Sequence, residues 1–229
     1  IPIEDFDTTG HSRLTAFYEK LQKGDAPVRI AVMGDSFVEG DILSSDLREK
    51  LQLRFGGSGA GFAPMASPLT GFRRTIKTQS KGWDSYNIMQ RRNTPAAISD
   101  YYYISGWLCQ PSDGASVRWE GSSDRAGRHS CRTARILFVS RDDSRIEVTV
   151  NDRDNRTFDI EGSPAVRQIV VHDDIRSLSF KVLSGAAGAI GYGAIFESAP
   201  GVVVDNYSIR SNNGQAMFWT SPTVNAQIN

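Results

Sequence analysis

The sequence predicts an α/β fold that is interrupted by a large antiparallel β-sandwich. An apolar, β-branched run at residues 28–33 breaks at Gly34 and gives way to helical spacing. Short β-type runs separated by Gly, Asp, Ser and Asn then fill residues 72–199, and an apolar run returns at residues 202–204. With 229 residues, the chain is long enough for one large domain or two small ones.

The charge balance and the hydropathy argue against two classes of partner. Lys plus Arg and Asp plus Glu are equal at 26 each, so no global field recruits nucleic acid or an anionic membrane. No apolar run approaches the roughly 20 residues that span a bilayer. Residues 1–5 lack the basic, apolar pattern of a signal peptide, so we expect a soluble chain whose export signal has been removed.

The first element is an amphipathic helix over residues 11–23, followed by Gly24 as a stop signal. Its apolar side chains recur at helical spacing: Leu14, Phe17, Tyr18 and Leu21. His11 lies at the polar start of this helix, where we expect it to be solvated.

The first strand then leads into a sharp turn and a helix. Such an elbow lifts the side chain at its tip clear of the sheet, next to the unpaired N–H groups that begin the helix. A serine hydroxyl needs these surroundings, together with a base, to act as a nucleophile. Ser36 is therefore the candidate nucleophile. The alternative is that Asp35 and Ser36 only cap the helix, which is a common role for both residue types.

The next helix carries a predicted buried stripe at four-residue steps, formed by Leu43, Leu47, Leu51 and Phe55. It ends at Gly56-Gly57. The Gly-rich stretch to Phe62 lacks the Gly-Lys-Ser/Thr ending of a phosphate-binding loop, which argues against nucleotide binding. Its glycines are expected to let the backbone pass close to an active-site mouth.

The β-type region predicts a sandwich similar to a carbohydrate-binding jelly roll. Its predicted strands are residues 101–108, 117–119, 136–139, 146–150, 166–171, 178–182 and 190–196. The runs at 146–150 and 178–182 alternate apolar and polar residues, as half-buried strands do. Six aromatic residues either form a platform for sugar rings or belong to the sandwich core, where such rings are commoner: Trp83, Trp107, Trp119, Tyr101, Tyr102 and Tyr103.

Two cysteines lie in this region, Cys109 and Cys131. They either form a disulfide in an oxidising compartment, which we slightly favour, or are two unrelated buried thiols. His11, His129 and His172 are too scattered to form a recognisable metal set with them, so no structural zinc is predicted.

Residues 34–41, Gly-Asp-Ser-Phe-Val-Glu-Gly-Asp, together with Leu47-Arg48-Glu49 and the Gly-rich residues 55–62, resemble the first block of bacterial GDSL-type (SGNH) hydrolases. The branch they resemble comprises peptidoglycan and polysaccharide O-acetylesterases with an inserted β-sandwich. The resemblance implies a flavodoxin-like three-layer α/β domain. It also implies that Ser36 is the nucleophile and that the backbone N–H of Ser36 contributes to the oxyanion hole.

The apolar run at residues 201–210 and the turn after it resemble the second block of this family, where a glycine supplies another oxyanion N–H. Counting from Asn206 and Ser208 assigns that position to Ser211, whereas matching on the glycine assigns it to Gly214. The runs at 28–34 and 202–208 both end in polar turns, so we expect them to be neighbouring parallel strands. The predicted organisation is therefore residues 1–71 and 200–229 for the hydrolase domain, and 72–199 for the inserted sandwich.

The third block of the family and its Asp-x-x-His, which supplies base and orienter, do not occur in the sequence. We expect them in a further C-terminal segment, a partner for this chain, and we expect little activity without it. The predicted function is removal of O-acetyl groups from a bacterial glycan, without metal or organic cofactor, in a periplasmic, cell-surface or secreted protein. A non-catalytic glycan-binding protein and an O-acyltransferase are the alternatives.

Overall fold

The structure is a computed structural model that describes residues 14–68, 70–122 and 130–228. Its α-helices are α1 (Thr15–Lys23), α2 (Ser36–Glu39), α3 (Ile42–Phe55) and α4 (Pro222–Ile228). Its strands are β1 (Pro27–Val32), β2 (Gly61–Pro64), β3 (Ile76–Asn87), β4 (Trp107–Gly121), β5 (Cys131–Ser140), β6 (Ser144–Val150), β7 (Asp154–Ile160), β8 (Ser163–Ile175), β9 (Ser177–Ser184), β10 (Ala189–Glu197) and β11 (Gly201–Asn206). Short 3-10 helices span Thr70–Phe72, Ile88–Asn93, Ser99–Tyr101, Ala186–Gly188 and Gln215–Trp219.

Strands β1 and β11 form a small parallel sheet in which Val28 lies opposite Val202 and Val32 opposite Asn206. The prediction that these two runs are neighbouring parallel strands is therefore confirmed, although more than 160 residues separate them. One face of the pair packs with Leu21 of α1 in a small apolar core. The three-layer arrangement implied by the resemblance stays a prediction.

Helix α3 has the predicted extent, but only the second half of the predicted stripe holds: Leu51 and Phe55 are partly buried against the small apolar core, whereas Leu43 and Leu47 are not buried. Leu43 is 62% exposed and Leu47 is 39% exposed, while the helix buries Ser44, Arg48 and Gln52. The reason lies in β11, whose carbonyls on the edge away from β1 need donors. Arg48 Nε donates to Val204 O at 2.9 Å and Gln52 Nε2 to Val202 O at 3.1 Å. A leucine cannot make these bonds, so the polar side of the helix faces the strand.

The other nine strands of the described chain form one antiparallel sheet, ordered β7-β6-β9-β4-β10-β5-β8, with β2 paired to β10 and β3 to β4. The prediction of antiparallel strands in this region is confirmed, as is the alternate burial along Ile146–Val150. The strand predicted at residues 101–108 is wrong for residues 101–106, where a 3-10 helix and a turn lie, because β4 begins only at Trp107. β2, ahead of residue 72, belongs to this sheet; the proposed domain limits stay a prediction.

Apolar side chains cover both sides of β10, all nine of whose residues are buried. Trp119, Phe138 and Phe180 lie in one core, whereas Tyr102, Tyr103 and Trp107 lie in the other. Trp83 packs against the first core and Tyr101 against the second, both partly buried. Core packing, rather than a platform, therefore accounts for the six aromatic residues, four of which are at most 6% exposed. The second core also contains Tyr207 and Ile209 from the segment after β11, so it joins the large sheet to that segment and is not purely a sandwich core.

Cys109 and Cys131 are both buried free thiols, so the preference for a disulfide is wrong. Cys109 Sγ donates to Ala66 O at 3.2 Å and Cys131 Sγ to Thr133 O at 3.4 Å. Each thiol thus has its own backbone acceptor, and burial raises the pKa of Cys109 to about 11 and that of Cys131 to about 12. Both behave as the small buried side chains of the second alternative.

The Gly-rich stretch after α3 passes very close to the backbone of β10 and β11. A Cβ on Gly59 would lie 2.4 Å from Phe196 O, and one on Gly61 would lie 2.3 Å from Val204 O. Both residues have positive φ, 101° and 66°. These positions therefore require glycine for close backbone packing between the two sheets.

No helix of the described residues is long and apolar enough to cross a membrane.

Candidate functional site

The turn between β1 and α2 has the elbow geometry that the sequence predicts. A Cβ on Gly34 would lie 2.8 Å from Val38 Cγ2, so the chain can turn this tightly only with glycine there. Asp35 caps α2, since its carboxylate accepts a hydrogen bond from Phe37 N at 3.0 Å. Ser36 is the first residue of the helix and its side chain is exposed. The cap thus belongs to Asp35 and leaves the hydroxyl of Ser36 open to a reactant.

The segment that follows β11 runs alongside this elbow. Tyr207 N donates to Val32 O at 2.9 Å, and Ile209 N donates to Gly34 O at 3.1 Å. These two bonds continue the parallel pairing beyond the ends of both strands. On its other side the segment is fixed to the sandwich core, where the hydroxyls of Tyr103 and Tyr207 are 3.0 Å apart.

Ser211 and Gly214, the two candidates for the second oxyanion donor, follow directly in the chain. Ser211 has φ 64°, in the left-handed region that favours glycine, as the glycine of the resembled block leads one to expect. The N–H of Gly214 already donates to Asn212 Oδ1 at 2.9 Å. Among the described residues, the backbone N–H groups of Ser36 and Ser211 have no acceptor. Of the three candidate oxyanion donors, the N–H groups of Ser36 and Ser211 are therefore available to a bound oxygen and that of Gly214 is not.

A buried ionic cluster fixes the loop between α2 and α3. Asp41 has φ 64° and a fully buried side chain. Arg48 donates to both carboxylate oxygens of Asp41 at 3.0 Å, and Arg73 Nη2 lies 3.3 Å from Oδ1. Ser44 Oγ donates at 2.6 Å. Burial alone would raise the pKa of Asp41, but Arg73 and Arg48 outweigh it and hold that pKa well below its usual range.

Asn206, the last residue of β11, connects this cluster to the elbow. Its Nδ2 donates to Val38 O at 2.8 Å and to Ser44 Oγ at 3.0 Å, while its Oδ1 accepts from Ser208 N at 2.9 Å. The roles of Asp41, Arg73 and Asn206 in supporting the site were not predictable from their positions in the sequence alone. The available signal was Asp41 at the end of the eight-residue block, a charged residue immediately before a helix.

The structure does not bring a described histidine into contact with Ser36. His172 lies on the edge strand β8, where its Nδ1 is 3.2 Å from Thr133 Oγ1. His11 and His129 lie outside the described residues. Within the described chain, no group of three or more His, Cys, Asp or Glu side chains is placed to hold a metal ion.

No protein-family model and no curated protein matches the sequence. A solved structure of a peptidoglycan O-acetylesterase has a similar fold, with a TM-score of 0.65 and 20% identity over 90% of this chain. This chain spans 55% of the length of that one.

Two further solved structures overlap less. A variant of a family 29 carbohydrate-binding module gives a TM-score of 0.34 at 14% identity, over 62% of this chain and 94% of that chain. An active-site variant of a family two carbohydrate esterase from Clostridium thermocellum gives 0.32 at 14% identity, over 52% of this chain and 30% of that chain.

Proposed function

We propose that this chain carries the nucleophile of a serine esterase of the GDSL (SGNH) type that removes O-acetyl groups from a bacterial glycan. The observation that carries the proposal is an exposed Ser36 at the start of α2, on a turn that is hydrogen-bonded to the segment leading to Ser211, with no acceptor in the described chain for the backbone N–H groups of Ser36 and Ser211. The fold shared with a peptidoglycan O-acetylesterase supports the same assignment. Gly214 becomes the weaker candidate for the oxyanion hole, because its N–H is engaged.

In the proposed reaction, Ser36 Oγ attacks the acetyl carbonyl carbon and loses its proton to a general base. The N–H groups of Ser36 and Ser211 stabilise the negative charge on the carbonyl oxygen. The sugar hydroxyl leaves with a proton and the acetyl group remains on Ser36, from which water releases it as acetate. No metal or organic cofactor enters this scheme.

The general base is the part of the scheme that no described residue fills. The resemblance assigns it to an Asp-x-x-His, which these 229 residues do not contain. A serine of ordinary pKa stays protonated at neutral pH without such a base. We therefore propose that the 229-residue chain alone turns over slowly, and that a C-terminal segment or partner supplies the histidine. The proposed location is periplasmic, cell-surface or secreted.

A non-catalytic glycan-binding protein is the second candidate, and the same lack of an Asp-x-x-His favours it. For this candidate, the glycan-binding site would be an open groove of about 340 Å³ on the sandwich. Polar side chains of β4, β6 and β9 line the groove, including Arg118, Glu147 and Lys181. An O-acyltransferase that uses Ser36 differs only in the acceptor of the acetyl group.

The experiment compares wild-type protein, as its gene encodes it, with Ser36→Ala on O-acetylated peptidoglycan. We expect acetate release to fall by several orders of magnitude in Ser36→Ala while the Tm is unchanged, because the exposed side chain adds little to the core. Equal acetate release by both proteins would refute the esterase. Transfer of the acetyl group to an added glycan acceptor in place of water would identify the transferase.

A further inference from the structure

We infer that Glu39 is a positioning residue that holds the Ser208–Ser211 segment against the elbow carrying Ser36. The inference rests on the proposed function, because it assigns a task to Glu39 in shaping the same site. Glu39 is the last residue of α2, whose first residue is Ser36. Its side chain is therefore carried by the same single turn of helix as the proposed nucleophile.

One carboxylate oxygen of Glu39 binds the second segment at two points. Oε2 accepts a hydrogen bond from Arg210 N at 3.0 Å and another from Arg210 Nε at 3.1 Å. Arg210 immediately precedes Ser211, the residue with φ 64° whose N–H is proposed to bind the oxyanion. A charged acceptor thus fixes the peptide next to the one that must point at the substrate oxygen.

Glu39 is a charged side chain in a buried place, and removing its charge from water costs free energy. Glu39 is only 7% exposed, and burial raises its pKa against the opposing influence of Arg210. An uncharged side chain would avoid the cost of removing a charge from water. The Arg210 side chain, in contrast, remains 43% exposed, so Glu39 carries most of that cost.

The second oxygen of Glu39 belongs to a polar cavity behind the elbow. Glu39 Oε1, Ser208 Oγ, Ser105 Oγ and Arg73 Nε are all buried without a hydrogen-bond partner in the described chain, and their residues line one cavity of about 20 Å³. That volume holds about one water molecule, and four polar atoms supply the partners that a buried water requires. The cavity therefore has the size and the polar lining for one water molecule beside the Glu39 carboxylate and Ser208 of the positioned segment.

Amide hydrogen exchange of the gene-encoded protein tests the contact directly. In Glu39→Ala the Arg210 amide should exchange about 10- to 100-fold faster than in wild type, the size expected for loss of a bond to a charged acceptor. Glu39→Gln keeps an acceptor without the charge, so it should restore part of the protection. Glu120→Gln is the matched control, because Glu120 pairs with Arg118 at 2.6 Å on the exposed sandwich surface and should leave the Arg210 amide unchanged.

The kinetics of the gene-encoded protein separate positioning from simple stabilisation. Displacing an oxyanion donor slows the chemical step, so Glu39→Ala should lower kcat about 10- to 100-fold at unchanged KM, with Glu39→Gln in between. Should Glu39→Ala fail to fold, Glu39→Gln decides on the same two measurements. Unchanged kcat in folded Glu39 variants, with Ser36→Ala inactive, would overturn this inference and leave the esterase intact. Equal rates for wild type and Ser36→Ala would refute the proposed esterase. The contact between Glu39 and Arg210 is judged separately, because an unchanged exchange rate of the Arg210 amide in Glu39→Ala would overturn it.

Discussion

Replacing Asp41 by Asn should destabilise the protein more than any exposed charge substitution. Asparagine has the same shape and also tolerates the left-handed backbone of this residue, so the change removes the charge with little strain. Arg48 and Arg73, whose side chains are 3% and 4% exposed, then remain buried without their carboxylate. Breaking a buried ion pair in this way costs about 3–5 kcal/mol. For a chain of this size, that corresponds to a fall in Tm of about 6–20 °C.

The pH dependence of this difference gives a second, independent check. The pKa of Asp41 is held below its ordinary 3.8, so its contribution to stability is fully present above that pH and is lost as the pH falls towards the folded-state pKa. The difference between wild type and Asp41→Asn should therefore be constant from pH 7 to about pH 5. Between pH 3.8 and the lower folded-state pKa, the difference should narrow by up to about 1.4 kcal/mol for each pH unit.

Urea unfolding measures both the loss of stability and its pH dependence. Far-ultraviolet circular dichroism is a suitable probe because it reports on the helices α1 and α3, which lie beside the parallel strands. The matched control is Asp152→Asn, whose carboxylate pairs with Arg118 at 2.7 Å but is 58% exposed. That change should alter stability by at most about 1 kcal/mol. A loss for Asp41→Asn no larger than for Asp152→Asn, or one that does not depend on pH, would contradict the buried cluster.

Three further predictions follow from the packing, one on the cysteines, one on the buried face of α3 and one on Gly59. Reductant should leave the Tm unchanged and Ellman's reagent should react with Cys109 and Cys131 only after unfolding, since both are buried thiols; a reductant-sensitive Tm would indicate a disulfide. Leu43→Ser should change the free energy of unfolding by less than about 0.5 kcal/mol, whereas Gln52→Ala should lower it by about 1–3 kcal/mol because two backbone carbonyls lose a donor. The reverse order in urea unfolding would mean that the leucine side of α3 is the buried one. Gly59→Ala should cost about 3 kcal/mol, since its Cβ would meet a carbonyl oxygen at 2.4 Å, and a Tm equal to wild type would disprove that contact.

The sequence was sufficient for those parts of the fold that depend on local patterns. The apolar run ending at Gly34 predicted β1 and its turn, and the run at residues 202–204 predicted β11 beside it. Alternation predicted β6 and β9 correctly. These signals work because a strand or an elbow is specified by residues adjacent in the chain.

The orientation of α3 could not be predicted in this way. Leu43 and Leu47 recur at four-residue steps, and so do Ser44 and Arg48 one position later. The period is the same for both stripes, so spacing cannot choose between them. The choice is made by the carbonyls of β11, which lie about 150 residues further along the chain.

The supporting residues of the candidate site were missed for a similar reason. Glu39 and Asp41 stand beside Ser36 in the sequence, but their partners come from distant segments, Arg210 in one case and Arg73 in the other. The disulfide was misjudged because the spacing of two cysteines does not fix the separation of their strands.

Trapping the acyl-enzyme would show directly whether Ser36 is the nucleophile. The gene-encoded protein is mixed with O-acetylated peptidoglycan, quenched in acid during turnover and digested, and the peptides are analysed by mass spectrometry. We expect one added acetyl group on the peptide containing Ser36, localised to Ser36 and absent from Ser36→Ala. Acetate release without acetylation of Ser36, or acetylation of another residue such as Ser211, would contradict it.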